Sequence, residues 1–132
     1  MKFDHIGIFV RSLVVGRDHI KSLLKIVDES EEYHDDILKV SVQFLYDESR
    51  ICYELVAPNG GGNPVDPILT DNRNFLNHVA YRVADFDLQL SKFRDRGCAQ
   101  LGHPKNALAF NGARVVFFLT PLQFIIELIE EM

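Results

Sequence analysis

The sequence predicts an α+β fold of two βαβββ modules in tandem, and three observations carry that prediction. Two stretches share one layout. Phe3-Asp4-His5-Ile6-Gly7-Ile8-Phe9-Val10 and Leu76-Asn77-His78-Val79-Ala80-Tyr81-Arg82-Val83 each run from a polar residue through His, an apolar and a small residue to an apolar finish. The two histidines are 73 positions apart (78 − 5), and the same step carries Glu54 onto Glu127 (127 − 54 = 73), each inside an apolar run. Both His-to-Glu spacings are therefore 49, with no gap between the marks. Charged residues inside apolar strands are uncommon, so four of them under one offset point to a duplication.

The elements follow in order. Residues 2–10 are apolar enough for a strand, and 14–26 read as a helix with Leu13, Ile20, Leu23, Leu24 and Val27 at helical spacing. A weak edge strand is expected at 28–34, where alternation is poor. Strands at 39–46 and 50–57 flank Asp47-Glu48-Ser49, which reads as a hairpin turn. The second module repeats the plan with a strand at 76–83, a helix at 86–96 that stops at Gly97, and a short strand at 98–101. Strands at 113–120 and 123–130 close it, with a turn around Pro121. Modules 1–58 and 75–132 are thus joined by a linker, 59–74, rich in Gly, Asn and Pro. His103 to Gly112 has no clear period and reads as a long loop over a site.

Composition sets the bounds. A chain of 132 residues makes one domain, 1–132, large enough to fold without disulfides or a structural metal. The net charge of −5 and scattered Lys and Arg speak against a nucleic-acid surface. Cys52 and Cys98 have no metal-type spacing and are too few for a disulfide framework. No apolar stretch is long enough to span a membrane, and the first residues lack the pattern of a secretory signal, so a cytoplasmic location is expected.

The chemistry lies in the four repeated residues. Two imidazoles (His5, His78) and two carboxylates (Glu54, Glu127) suit one borderline or hard divalent ion. Six-coordinate geometry would leave two positions for water or substrate. Two buried carboxylates repel each other and are costly to desolvate, and a dication offsets both.

FDHIGIFV, YELVAPNG, NHVAYRVADFD and GARVVFFLTPLQFIIELIEE together resemble the vicinal oxygen chelate superfamily, in the branch of glyoxalase I and methylmalonyl-CoA epimerase. The resemblance covers nearly the whole chain. It implies a curved, mixed eight-stranded sheet around a central cup, with Zn, Ni, Co, Mn or Fe held by the first and fourth strands of each half. Those are the positions of His5, Glu54, His78 and Glu127. Methylmalonyl-CoA epimerases often carry Gln where this chain has Glu54, which leans the pattern toward glyoxalase.

The implied function is an isomerase or lyase that moves a proton next to a carbonyl through a metal-stabilised enolate, on a small carbonyl or thioester substrate. By the same analogy Glu127 is the first choice of catalytic base and Glu54 the second, one for each face. Some epimerases use a further Glu on the third strand of the first half; here that strand, Lys39-Val40-Ser41-Val42-Gln43-Phe44, has no acid. A homodimer is expected. The alternatives are an Fe(II) dioxygenase of the same superfamily, for which four protein ligands leave less room, and a non-catalytic drug-binding protein. A plain structural protein gives no reason for the repeated His and Glu.

The remaining polar residues have plainer readings. His19, His34 and His103 lack counterparts at the offset and belong to the surface or to loops. Cys52 shares a strand face with Glu54 and reads as a small buried hydrophobe. Arg82 shares a face with His78 and serves either a substrate anion or a nearby acid; Lys105 and Asn111 are loop candidates for substrate contact. Val115 to Leu119 reads as sheet core, and the acidic run Asp28 to Glu32 as a solvated edge.

Overall fold

The computed structural model describes residues 1–72 and 75–132, so the last two residues of the expected linker lie outside the described residues. The fold is α+β, a mixed sheet of nine strands with three α-helices among the described residues. The chain divides into two compact units, His5–Asn77 and His78–Met132, the latter together with Met1–Asp4.

The first unit follows the expected order with one addition. Strand β1 (Lys2–Phe9, whose first three residues belong to the other unit) leads to helix α1 (Leu13–Leu23), short strands β2 (Ile26–Glu29) and β3 (Tyr33–Asp35), then β4 (Val40–Asp47) and β5 (Cys52–Pro58). The strand order is β2-β4-β5-β1, with β3 also on β4; β1 runs parallel to β5 and the other pairs are antiparallel. Helix α1 starts where the Ser12 side chain accepts the Val15 N–H at 3.1 Å. It packs Leu13 and Ile20 onto Leu45, Leu55 and Ala57. Leu23, Leu24 and Val27, expected on the same face, are exposed. The helix stops at Leu23 and the chain turns extended, so Leu24 and Val27 fall off the helical stripe, while Leu23 sits on the exposed side of the last turn.

Gly16 explains how closely α1 lies against Val10, the residue that follows β1. A Cβ there would sit 2.6 Å from Cγ1 and 2.9 Å from Cβ of Val10. Ala is the better helix former by about 1 kcal/mol, but Val10 is β-branched and cannot swing aside. Overpacking costs about 1–3 kcal/mol. Gly16→Ala is therefore expected to lower the urea midpoint, and a raised midpoint would show that the helix lifts freely.

The second unit carries β6 (Leu76–Val83, entering from the first unit), α3 (Phe86–Asp95), β7 (Ala99–Asn106), β8 (Arg114–Leu119) and β9 (Ile125–Glu130), in the order β6-β9-β8-β7. Helix α3 ends as the sequence predicts. Gly97 takes a φ of +85°, the Cys98 N–H donates to the Phe93 carbonyl at 3.0 Å and the Gly97 N–H to the Arg94 carbonyl at 3.1 Å. That is the double bond pattern of a Schellman cap. Val83, Phe86, Leu90, Val116, Phe118 and Leu128 form the core beneath α3.

Three departures from the expected elements have local causes. Nine strands replace eight because the weak edge strand of the first module is broken. Ser30 is drawn out of line: its hydroxyl and N–H both bond the backbone of Phe44 at 2.9 Å, so pairing resumes only at Tyr33. In the second module β7 keeps going and merely shifts register between Leu101 and Lys105, so it takes up the first four residues of the expected loop at 103–112. The rest is a 3-10 turn, Leu108–Phe110, closed by Asn111 at φ +56°. The linker contains a short helix α2 (Val65–Thr70), started by the Asn63 side chain, which accepts the Val65 and Asp66 N–H groups at 2.9 and 2.8 Å.

Arg114 ties β8 to its neighbours, donating to Glu130 at 2.7 Å and Asp87 at 3.2 Å while its guanidinium lies 4.6 Å from the Phe86 ring centre. The Arg114 hydrogen bond holds the Glu130 carboxyl below the usual carboxylate range. A lowered folded-state pKa gives stability that is present above the unfolded value of about 4.3 and lost as pH falls through the folded one. The melting temperatures of the native protein and Glu130→Gln should therefore converge below about pH 4.

Candidate metal centre

Each unit assembles one buried His–Glu pair by the same construction. In the first unit, parallel pairing sets Gly7 of β1 opposite Glu54 of β5. His5 lies two residues before Gly7 and so projects from the same face. Its Nε2 reaches Glu54 Oε1 at 3.2 Å; His5 is 0% exposed and Glu54 5%. In the second unit Ala80 of β6 stands opposite Glu127 of β9. His78 Nε2 is again 3.2 Å from Glu127 Oε1, and both residues are 3% exposed. Pairing with a neighbouring strand repeats too: Phe44 on β4 faces Glu54, and Phe117 on β8 faces Glu127.

Those two phenylalanines are the residues the sequence reading missed. The edge-to-face contact of Phe44 with His5 spans 6.0 Å between ring centres, and that of Phe117 with His78 spans 5.1 Å. Such contacts fix an imidazole plane by packing. The signal was available, because Phe44 and Phe117 also differ by 73 (117 − 44).

A carboxylate so buried is expensive to keep ionised unless positive charge or donors face it. Each pair sets an imidazole nitrogen and a carboxylate oxygen side by side, the donor set of a borderline divalent ion. The residues fit such an ion by chemistry and by burial.

Other candidates have different surroundings. Arg82 Nε donates to Asp4 Oδ1 at 2.8 Å and its guanidinium lies 5.5 Å from the Phe110 ring, so of its two readings the structure shows the acid partner. Lys105 is exposed on β7 and Asn111 is exposed at the end of the 3-10 turn. Cys52 is buried, as expected for a small apolar filler. His34 Nδ1 meets Ser41 Oγ at 2.8 Å, while His19 and His103 are exposed. In the acidic run Glu29 pairs with Lys21 and Glu32 with Arg17, as on a solvated edge. No helix among the described residues is long and apolar enough to cross a membrane.

Comparison with solved structures finds the same fold. Methylmalonyl-CoA epimerase from Mycobacterium tuberculosis superposes with a TM-score of 0.78 at 24% identity, over 99% of this chain and 88% of that one. A hypothetical protein from Bacillus halodurans gives 0.75 at 23%, over 99% and 94%. A variant of Streptomyces coelicolor methylmalonyl-CoA epimerase in complex with 2-nitronate-propionyl-CoA gives 0.73 at 20%, over 99% and 97%. No curated protein matches the sequence. The family match spans residues 4–117, and the chain belongs to the glyoxalase/bleomycin resistance protein/dioxygenase superfamily.

Proposed function

We propose that the protein is a divalent-metal-dependent isomerase or lyase that moves a proton next to a carbonyl. His5, Glu54, His78 and Glu127 act together as the ligands of one ion. The observation that carries this reading is the repetition of a buried His–Glu pair, at the same separation and strand register, in both units. A single pair offers two ligands, too few to hold an ion firmly, whereas two pairs supply four. When bound, the ion supplies Lewis acidity to a carbonyl oxygen.

The chain's own residues do the rest. Glu127 takes the α-proton and Glu54 serves the opposite face, because these two buried acids stand on the strands that pair with the histidine-bearing β1 and β6, beside the imidazoles. Strand β4 offers no further acid there, since Val42 and Phe44 occupy that face. Apolar neighbours keep water away from the base. A CoA thioester is the first substrate class to test, since structural neighbours are epimerases bound to such compounds. A homodimer in the cytoplasm is the setting we propose.

Two measurements test the reading together. Protein purified without added metal should contain about one divalent ion per chain by elemental analysis. Deuterium uptake from heavy water into the α-position of acyl-CoA substrates should require that ion and vanish with a chelator. Exchange that survives metal removal would rule the mechanism out.

A further inference from the structure

Building on the metal-dependent reading, we propose that the site selects a substrate that is uncharged beside its reacting carbonyl, discriminating against a carboxylate placed there. Two features of the chain carry this.

The first is charge. A divalent ion with two Glu ligands and two neutral imidazoles sums to zero, so the centre has no net positive charge left for a substrate anion. The second is the character of the strand faces that bear the ligands. In the first unit, register places Val42 opposite Val56 and Phe44 opposite Glu54, so the neighbours of Glu54 on its face are apolar, and all of these residues are buried. In the second unit Val115 stands opposite Ile129, and Ala80 opposite Glu127, again buried and apolar. Two cations share the second unit's face. Arg82 is already engaged by Asp4 at 2.8 Å, and Lys105, opposite Val115, is exposed on the outer strand β7. Among the described residues neither stands opposite Glu127, whose strand partners are Ala80 and Phe117.

Moving a carboxylate from water into such surroundings without a cation is costly, whereas a ketone, ester or thioester oxygen enters at far smaller cost. Exposed Lys105 remains suited to a distant anionic part of the substrate, where solvent shares the load.

The test uses cobalt-loaded protein and the matched pair methyl pyruvate and pyruvate, which differ in charge beside the same carbonyl. Binding is read from the visible absorption of cobalt. Methyl pyruvate should perturb the band at a concentration lower by about tenfold or more than pyruvate. Glu54→Gln, which leaves one positive charge on the centre, should shrink or invert that ratio. Tighter binding of pyruvate to the native protein, an unchanged ratio in the variant, or no response to either compound would overturn the proposal. If Glu54→Gln fails to retain cobalt, the ratio in the native protein decides alone. A native protein that takes up no cobalt strikes instead at the metal-dependent function itself, so the two failures are distinguishable.

Discussion

Glu127→Gln is expected to lower deuterium exchange at the substrate α-carbon by about 10²–10⁴-fold, the usual worth of a positioned general base. The substitution keeps shape and volume, and the Gln oxygen can still sit near His78 Nε2, where the carboxylate oxygen lies at 3.2 Å. What disappears is the carboxylate that accepts the α-proton. The fold should survive, because the core beneath α3 does not include this side chain. Metal content must be measured on the same sample, since the variant also loses an anionic ligand; with the ion at saturation, the remaining loss belongs to proton transfer. Full exchange at saturating metal would remove Glu127 from the base role.

Phe118→Ala should be the most damaging substitution in the core. Its side chain is 0% exposed and its ring centre lies 5.1 Å from that of Phe93, beneath α3. Truncating a buried Phe costs about 3–5 kcal/mol, from lost transfer energy and the cavity left behind. A domain of this size has about 5–15 kcal/mol in hand, so the variant loses a large fraction of its stability. The counterpart 73 positions earlier is Leu45, also 0% exposed. Leu45→Ala should cost about 2–5 kcal/mol, less than Phe118→Ala because no ring contact is lost with it. Urea denaturation of both variants checks the order, and a cost below about 1 kcal/mol for Phe118→Ala would show that the cluster is loosely packed.

Much of this was legible in the sequence because the duplication preserves spacing without a gap. The step that relates His5 to His78 also relates Leu13 to Phe86 and Leu55 to Leu128, which occupy matching places in the two cores. Gly97 announced its helix end because a left-handed residue is a local requirement. The parts that were hidden depend on tertiary contacts. Helix α2 sits in a stretch of Gly, Asn and Pro that reads as a linker, and only the bonds of Asn63 set it going. The break between β2 and β3 depends on Ser30 reaching Phe44, a partner 14 positions away. Leu24 and Val27 fit a helical stripe, but the stripe outlasted the helix. As for the candidate site, the His and Glu stood out by charge, whereas Phe44 and Phe117 were two apolar residues among many.

The parallel pairing of β1 with β5, and of β6 with β9, has a consequence for the order of folding. Each His meets its Glu at a sequence separation of 49 positions, so neither pair arises from a local hairpin. A contact of that separation must wait until the crossover between its strands has collapsed, and closing so long a loop is slow relative to turn formation. The nascent chain therefore presents scattered single donors, and a grip on a cation comes into being late, once most of each unit is already in place.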